Sequence, residues 1–432
     1  MCNKIILIFN LQNLIVQLFN DRTGEFMTTN KIQLKADRSS AVKTLNDYIL
    51  YGRNKGCTDF EIVFKDDGAF SNACVPIAGV INYYKKIGCN FKISFPYESY
   101  ISNTFLDSPL SINENISNDK IKNPFNKVWF FESDTEINNL INSYIFSIRQ
   151  SDIVGDGVLR SIEWCLCEVM DNIIQHSNAE YGYIMGQIHH NTKRLNFCIF
   201  DTGIGIYNSL KSSKYNPATP LDAITIALQE NVTRDNNIGQ GNGLWGLSNI
   251  INLSKGSLMI SSGGATYIND CGKTNTIKCG HFNLGKYGTT TVDFQLDYSK
   301  DINISKALSN GDYQPVDLWL ENLESDNDEN IVIINVLEMS NGTGTRKSAE
   351  KLRNLTLNII KNDKKIIVLD FSEVNIVSSS FADELIGKII KEIGFLAFNQ
   401  VYRIINVESS IAAIINRSVE QRMAQNFFDI AN

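Results

Sequence analysis

At 432 residues, with 43% hydrophobic and 20% charged side chains, the chain has the composition of an ordinary soluble protein and the length for two or three domains. Its formal net charge of −7 gives it no general basic character, so nucleic acid is not an expected partner. Nine cysteines without paired spacing indicate reduced core thiols rather than a disulfide framework, which predicts a cytoplasmic protein.

Residues 1–28 form an apolar leader that polar side chains interrupt. Asn10, Gln12, Asn13 and Gln17 divide its hydrophobic runs, which makes it too polar and too short to span a membrane. It has no small-residue cleavage site, and the residues from Met27 onward look like the ordinary beginning of a protein sequence. We therefore expect no membrane association, and we interpret the leader as an upstream-start artefact or as a packed N-terminal helix or strand.

Residues 29–132 are predicted to form a small α/β domain. The order is a helix at 39–51, a strand at 59–64, a helix at 73–87, a strand at 91–95 and, after a polar stretch, a short strand at 128–131. This order is similar to that of STAS domains, the fold of anti-anti-sigma factors, which implies a STAS-like domain. The alternative is a docking or dimerisation domain of another kind.

The segment 158–177 predicts a helix that organises the central part of the chain. It lacks glycine and proline, and apolar residues recur at spacings of four, three and four, at Ile162, Leu166, Val169 and Ile173. This spacing is typical of the core stripe of an amphipathic helix.

Three polar residues form a neighbouring stripe on the same helix. Glu168, Asn172 and His176 recur at every fourth position and therefore align. An asparagine carbonyl is a neutral oxygen ligand for Mg²⁺. Glu168, one turn away, can polarise a water or hydroxyl that attacks a terminal phosphate. The alternative is a solvated polar face.

A predicted strand over residues 194–200 ends at Asp201, and Gly203 and Gly205 follow it. An ionised aspartate only accepts hydrogen bonds, so it can receive the 6-amino hydrogen of adenine. Glycines without side chains allow the backbone to approach a flat base closely. The alternative is a glycine-rich turn in which the aspartate serves the turn itself.

A third stretch, rich in glycine, leads into an apolar helix over 244–253. It contains Gly239, Gly241, Gly243 and Gly246, and free backbone N–H groups at a helix N-terminus can hold phosphates. The last three of these glycines also have the spacing of a dinucleotide-binding fingerprint. That fingerprint requires a preceding strand and an acidic residue after the next strand, and neither is present here.

Together the three stretches resemble the motifs of the GHKL ATPases, which include gyrase, the large heat-shock chaperone, sensor histidine kinases, mismatch-repair ATPases and anti-sigma-factor serine kinases. The stretch around Glu168 matches the N-box, that around Asp201 the adenine box, and the run at 239–247 the phosphate-lid box. The segment 288–294 resembles the last box, where a threonine supports the adenine-binding aspartate. The resemblance implies a GHKL domain at 133–300 with a mobile lid at 207–238.

The resemblance also implies a site for ATP and Mg²⁺. Glu168 is implied as the catalytic base and Asn172 as the Mg²⁺ ligand. The implied nucleotide-binding residues are Asp171, Asp201, Gly203, Gly205, Ile206, Arg234, Gly239, Gly241, Gly243, Leu244, Gly246, Thr289 and Thr290. Which of the two threonines supports the aspartate stays open. Arg234 is interpreted as a phosphate contact or, alternatively, as a solvated loop charge.

An acidic linker at 301–329 leads to a C-terminal domain at 330–432. Three strands and three helices alternate there in the order βαβαβα, which predicts a parallel sheet. The segment 370–385 resembles the phosphoacceptor segment of STAS domains, which implies a STAS-like fold.

Ser379 is the best-matched phosphoacceptor in that segment. In the STAS family an aspartate precedes the phosphorylated serine and a glycine follows the pair, whereas Ser378 and Phe381 stand at those positions here. The alternative is that Ser380 caps the following helix and Asp383 completes a capping box.

The predicted fold is therefore an α/β multidomain chain. Its centre is a GHKL α/β sandwich, a mixed sheet with helices on one face, and two small STAS-like domains flank it. The predicted function is that of an ATP·Mg²⁺-dependent ATPase whose nucleotide state controls the flanking domains or a partner. The alternatives are a serine kinase of the anti-sigma-factor type in a partner-switching system, and a switch that binds ATP without hydrolysis. The expected partner is another protein or a second copy of the chain, bound through the STAS-like domains.

Overall fold

The computed structural model describes residues 30–112, 123–151, 154–230, 232, 243–278, 282–284, 288–308, 331–340, 342–363 and 365–430. The chain divides into two compact units, Met1–Ser108 and Pro109–Asn432. It is an α/β protein whose described residues contain three sheets. No helix among these residues is long and apolar enough to cross a membrane.

The first unit contains a three-stranded parallel sheet with the order β1-β2-β3. The two helices and the second and third strands follow the predicted order, whereas the first strand was not predicted from the sequence. Each apolar stretch buries one face against its neighbours. The elements are β1 (Asn30–Ala36), α1 (Ser40–Asn54), β2 (Asp59–Ala69), α2 (Ser71–Lys86) and β3 (Asn90–Ser94).

The second unit begins earlier than the predicted boundary at residue 132. Two short strands, β4 (Leu110–Ser111) and β5 (Trp129–Phe131), pair with each other and extend the central sheet. Trp129 is fully buried, and its indole N–H donates to the carbonyl of Pro124 at 2.8 Å. The core of the second unit therefore includes a segment that was predicted to belong to the first domain.

The central sheet has eight strands in the order β10-β9-β8-β11-β7-β6-β5-β4 and is mixed, since β4 and β5 are parallel and the other pairs are antiparallel. The strands not yet given are β6 (Gly182–His189), β7 (Arg194–Asp201), β8 (Ser257–Ser262), β9 (Ala265–Asp270), β10 (Lys273–Ile277) and β11 (Thr290–Asp297). The helices of this part are α3 (Asp134–Ser151), α4 (Val158–Asn172), α5 (Gly205–Lys211), α6 (Pro220–Ala227), α7 (Gly243–Leu253) and α8 (Ile304–Leu308).

Helix α4 lies in the core of the central part, as its apolar spacing predicts. Ile162, Leu166, Val169 and Ile173 are all buried in the cluster that joins sheet and helices. The helix widens into a π-helical turn at Ile173–Ser177, and such turns occur frequently at functional sites. The segment 158–177, which was predicted to form a single helix, is therefore an α-helix followed by a π-helical turn.

The C-terminal part has the predicted parallel sheet, with the order β12-β13-β14. Its strands are β12 (Ile331–Asn335), β13 (Ile366–Asp370) and β14 (Tyr402–Ile405). Its helices are α9 (Val336–Ser340), α10 (Arg346–Asp363), α11 (Ser379–Ala382), α12 (Lys388–Ile393), α13 (Phe395–Val401) and α14 (Ser409–Ile430), with a π-helical turn at Asp383–Gly387 between α11 and α12.

The central and C-terminal parts of this unit share one hydrophobic core. Polar contacts also join them. The guanidinium of Arg417 on α14 lies 4.3 Å from the ring centroid of Trp245 on α7 and pairs with Glu230. Arg160 on α4 pairs with Glu408. The C-terminal part is therefore docked against the helices that carry the first and third sequence stretches.

Candidate functional site

A cavity of about 170 Å³ lies where the central and C-terminal parts meet. Residues from all three predicted stretches line it, together with residues of the C-terminal part. The predicted site residues that line it are Glu168, Asp171, Asn172, Asp201, Gly205, Ile206, Gly243, Leu244, Thr290 and Ser379. They form two clusters, which we call the Asp201 cluster and the Glu168 cluster.

The Asp201 cluster consists of Asp201, Thr290 and Gly205, and the Ser262 hydroxyl hydrogen-bonds that of Thr290 at 3.3 Å behind them. Asp201 ends β7, is 3% exposed, and lies opposite Thr290 in the antiparallel pairing of β7 with β11. Its Oδ1 accepts the N–H of Gly203 at 2.8 Å, and Thr290 also hydrogen-bonds the carboxylate. Burial raises the pKa of Asp201 to about 7, although both hydrogen bonds oppose the rise.

The two glycines after Asp201 fix the turn that leads from β7 into α5. A Cβ atom on Gly203 would lie 2.1 Å from the carbonyl oxygen of Ser177, and Gly205 has a φ of +72°. The N–H of Ile204 donates to the same Ser177 oxygen at 2.7 Å. Gly203 therefore packs the turn against the π-helical end of α4, while Gly205 lines the cavity.

The Glu168 cluster consists of Glu168, Asp171, Asn172 and the serines at the start of α11. Glu168 is 7% exposed, and its Oε1 accepts the backbone N–H of Ser379 at 2.7 Å. Asp171 is 4% exposed, and its Oδ2 accepts the hydroxyl of Ser380 at 2.7 Å. These carboxylates do not form a solvated polar face, because the C-terminal part covers them.

Burial dominates the acid–base properties of the Glu168 cluster. It raises the pKa of Glu168 to about 7, with hydrogen bonds from Ser379 opposing the rise and the neighbouring Asp171 adding to it. It raises the pKa of Asp171 to about 6, with Ser380 and Gln175 opposing. The pKa of Glu168 thus lies close to neutral pH, where a carboxylate works best as a general base.

The Glu168 cluster has oxygen atoms that suit a hard cation. Oδ1 of Asp171 is buried and has no hydrogen-bond partner among the described residues. A Cβ atom on Gly243 would lie 2.8 Å from Glu168 Oε2 and 3.3 Å from Asn172 Nδ2, so the glycine keeps the space beside them open. In the described ranges there is no group of three or more His, Cys, Asp or Glu side chains that could hold a metal. Mg²⁺ often uses only one or two protein oxygens together with substrate phosphates, and this cluster fits that pattern.

The start of α11 differs from the expected capping arrangement. Ser378, not Ser380, caps the helix, because its hydroxyl accepts the N–H of Phe381 at 3.0 Å. Asp383 completes no capping box and instead binds Arg422 through two contacts of 2.6 Å. The expectation for Ser380 and Asp383 is therefore wrong, and both Ser379 and Ser380 are directed to the cavity.

The remaining predicted site residues lie elsewhere or outside the described part of the chain. A Cβ atom on Gly246 would lie 2.3 Å from the Trp164 ring, so this glycine allows close helix packing away from the cavity. Thr289 is fully buried, and its hydroxyl donates to the carbonyl of Phe282 at 3.5 Å. Of the two threonines, Thr290 is therefore the partner of Asp201. The positions of Arg234, Gly239 and Gly241, and the side chain of His176, are not described.

Gln175, Ser380 and Arg346 are among the residues that line the cavity and that were not predicted as site residues from the sequence. Gln175 donates to Asp171 Oδ2 at 2.6 Å and accepts from Arg346 Nε at 3.3 Å. Arg346 lies at the start of α10, 171 positions further along the chain than Gln175. No spacing pattern links residues so far apart, so only docking of the two parts brings them together.

The buried carboxylate of Asp201 predicts a pH-dependent cost to folding. A carboxyl group whose pKa is raised in the folded state binds protons more tightly there, so stability falls as pH rises from about 4 to 7. We expect Asp201→Asn to remove this cost and to stabilise the protein at pH 8 by roughly 1–3 kcal/mol more than at pH 5. Urea denaturation of both proteins at the two pH values measures the difference.

Asp297→Asn is the matched control for that measurement. Asp297 lies at the other end of the neighbouring strand β11, and its pKa is lowered by hydrogen bonds from Ser299 and Lys300 that outweigh its burial. The stability that it contributes is therefore fully present at both pH 5 and pH 8. An effect of Asp201→Asn that is the same at both pH values would contradict the raised pKa.

Comparison with known families gives a match that lies in the C-terminal part. Residues 348–412 match the family model of a STAS-like domain of unknown function (DUF4325). The matched range includes Ser379 and Ser380 and begins just after Arg346. The match supports a STAS-like domain over these residues of the C-terminal part, and STAS-like domains commonly mediate protein interactions. No curated protein matches the chain.

Proposed function

We propose that the central part binds ATP with Mg²⁺ and hydrolyses it, as a GHKL-type ATPase whose nucleotide state controls the STAS-like domain or a partner protein. One observation carries this proposal. Three stretches that are distant in sequence place a buried aspartate, a carboxylate–asparagine pair and a helix N-terminus around a single cavity. Each provides a different chemical requirement of a nucleotide site, so their convergence supports ATP more strongly than any stretch does alone.

The Asp201 cluster is the proposed adenine site. The Asp201 carboxylate would accept the 6-amino hydrogen, because the ionised form offers only acceptors. Its contacts to Gly203 and Thr290 hold it in one orientation, and Gly205 brings bare backbone to the cavity wall. A site preorganised in this way loses little entropy when it binds a flat base.

The Glu168 cluster is the proposed site of the phosphates and of Mg²⁺. Asn172 and the unpartnered Oδ1 of Asp171 would hold the ion, which neutralises phosphate charge when bound. Gly243 begins α7 at the cavity, and the N–H groups of a helix N-terminus favour phosphate. Glu168, with a pKa near 7, would take the proton from the attacking oxygen.

The same cluster explains how nucleotide state would reach the STAS-like domain. The backbone N–H of Ser379 and the hydroxyl of Ser380 bind the two carboxylates at 2.7 Å each. A change of charge at Glu168 or Asp171 therefore alters contacts that the STAS-like domain makes directly. No separate relay between the two parts is required.

A purified-protein assay with terminally labelled ATP tests the proposed activity. We expect the full chain to release label as free phosphate in the presence of Mg²⁺, and to release none when Mg²⁺ is chelated. If ATP binds but the label appears neither as free phosphate nor on protein, the chain acts as a switch that binds ATP without hydrolysing it.

A serine kinase that acts within the chain is the second candidate, and the position of Ser379 favours it. The backbone N–H of Ser379 donates to Glu168 Oε1 at 2.7 Å, which places this serine directly beside the proposed base. In that reaction Glu168 would take the hydroxyl proton, the serine oxygen would bond to the terminal phosphorus, and ADP would leave. A phosphate there would lie at the N-terminus of a helix, which favours negative charge.

Intact-mass spectrometry after incubation with ATP·Mg²⁺ separates the two candidates. The kinase requires the added mass of one phosphate, which Ser379→Ala should abolish and Ser380→Ala should retain. The ATPase requires an unchanged mass together with released phosphate. Ser380→Ala is the matched control, because Ser380 is adjacent and binds Asp171 rather than Glu168.

A further inference from the structure

Arg346 brings a positive charge to the cavity from outside the central part. It is the first residue of α10, and its side chain is 12% exposed. Of the described residues that line the cavity, it alone is cationic, whereas Glu168, Asp171 and Asp201 are acidic. A nearly buried cation is stable only when neighbouring groups neutralise its charge and accept its hydrogen bonds.

The known partners of Arg346 use only part of its guanidinium group. Nη1 contacts Asp383 at 3.2 Å and Glu384 at 2.7 Å, and Nε donates to Gln175 at 3.3 Å. Within the part of the chain that the structure describes, Nη2 makes no hydrogen bond. Its two hydrogens are therefore not committed to any described partner, and Arg346 lines the cavity.

The acidic partners of Arg346 are neutralised without it. Asp383 binds Arg422 at 2.6 Å. Glu384 binds Arg353 at 2.9 Å and Lys388 at 2.7 Å. The cluster thus has four cations for two carboxylates. Arg346 is in excess as a structural counter-ion, although it is held firmly in one orientation.

We propose that Arg346 binds the terminal phosphate of the nucleotide, so that residues of the C-terminal part complete the nucleotide site of the central part. The proposal rests on the proposed ATP site. A guanidinium held by a carboxylate pair and an amide is preorganised for phosphate, which it binds in a fork geometry. Because ATP and ADP differ in this phosphate, Arg346 distinguishes them. Its contact with Glu384, in the turn that follows α11, links that difference to the helix that begins at Ser379.

Binding of ATP, ADP and adenosine to the full chain, with Arg346→Gln and Arg353→Gln as variants, tests this assignment. We expect Arg346→Gln to weaken ATP binding by about tenfold to a hundredfold and to leave ADP and adenosine binding unchanged. Arg353→Gln is the matched control, because Arg353 binds the same Glu384 but does not line the cavity. It should leave all three affinities unchanged.

Arg346→Lys separates the loss of charge from a loss of packing. A lysine keeps the positive charge, so we expect it to retain part of the preference for ATP over ADP even if both variants melt at a lower temperature. An equal loss of ATP and ADP binding in Arg346→Gln, or no loss, overturns the role of Arg346 while the ATP site stands. Failure of the unmutated chain to bind any of the three ligands overturns the ATP site itself and the inference with it.

Discussion

Glu168→Gln is expected to slow ATP turnover by at least about 100-fold, the effect of removing a general base, while ATP·Mg²⁺ binds with nearly normal affinity. The amide oxygen of glutamine can still accept the N–H of Ser379, a contact of 2.7 Å in the unmutated protein. It cannot take a proton from the attacking oxygen. Positioning and charge neutralisation, which govern the rest of phosphoryl transfer, remain in place. Calorimetry and a phosphate-release assay measure the two quantities separately.

Glu163→Gln is the control for that experiment. Glu163 lies on the same helix, and burial raises its pKa to about 7, as it does for Glu168. It does not line the cavity, so its substitution should leave turnover unchanged. Near-normal turnover in Glu168→Gln would mean that another group acts as the base, and an equal loss in both variants would indicate damage to the helix.

Asp201→Asn should lower the affinity for ATP by roughly tenfold to a hundredfold, since a hydrogen bond to a charged group contributes about 1.5–3 kcal/mol. The asparagine oxygen can keep the Gly203 N–H that Asp201 Oδ1 accepts at 2.8 Å. Its amide nitrogen then faces the adenine amine, and two donors meet. The fold should survive, because a neutral side chain costs less to bury than a carboxylate.

The affinity of Asp297→Asn serves as the reference for Asp201→Asn. The two aspartates occupy opposite ends of the paired strands β7 and β11, and only Asp201 lines the cavity. We expect normal ATP binding in Asp297→Asn. If Asp201→Asn keeps both its affinity and its preference for ATP over GTP, Asp201 has no part in recognising the base.

Local patterns in the sequence predicted the elements that carry the site. The apolar spacing of α4 forecast a buried stripe, and Ile162 and Leu166 are fully buried. Alternation of strands and helices forecast the parallel sheet of the C-terminal part. Such predictions succeed because periodicity within one element reflects which side of it is buried.

Pairing between elements was beyond the reach of the sequence. Thr289 and Thr290 are adjacent, and only the register of β11 against β7 shows that Thr290 lies opposite Asp201. The three-residue strand Trp129–Phe131 is too short to show a period, so its membership of the central sheet could not be predicted. Ser380 was expected to cap the helix, and only the structure shows that Ser378 does so.

Contacts between the two docked parts left no trace in the sequence. Glu168 and Ser379 are 211 positions apart, and their hydrogen bond depends on how two separately patterned surfaces fit together. The polar stripe of α4 looked compatible with solvent for the same reason. Glu168 of that stripe is buried, and it accepts the backbone N–H of Ser379 from the C-terminal part.

Calorimetric titration of the unmutated full chain with ATP, with and without Mg²⁺, and with GTP tests the central claim most directly. We expect saturable binding of one ATP per chain that is tighter with Mg²⁺ than without it, and weaker binding of GTP, whose base presents a carbonyl where adenine presents its amine. Absence of saturable ATP binding in the presence of Mg²⁺ would contradict the assignment of this cavity as a nucleotide site.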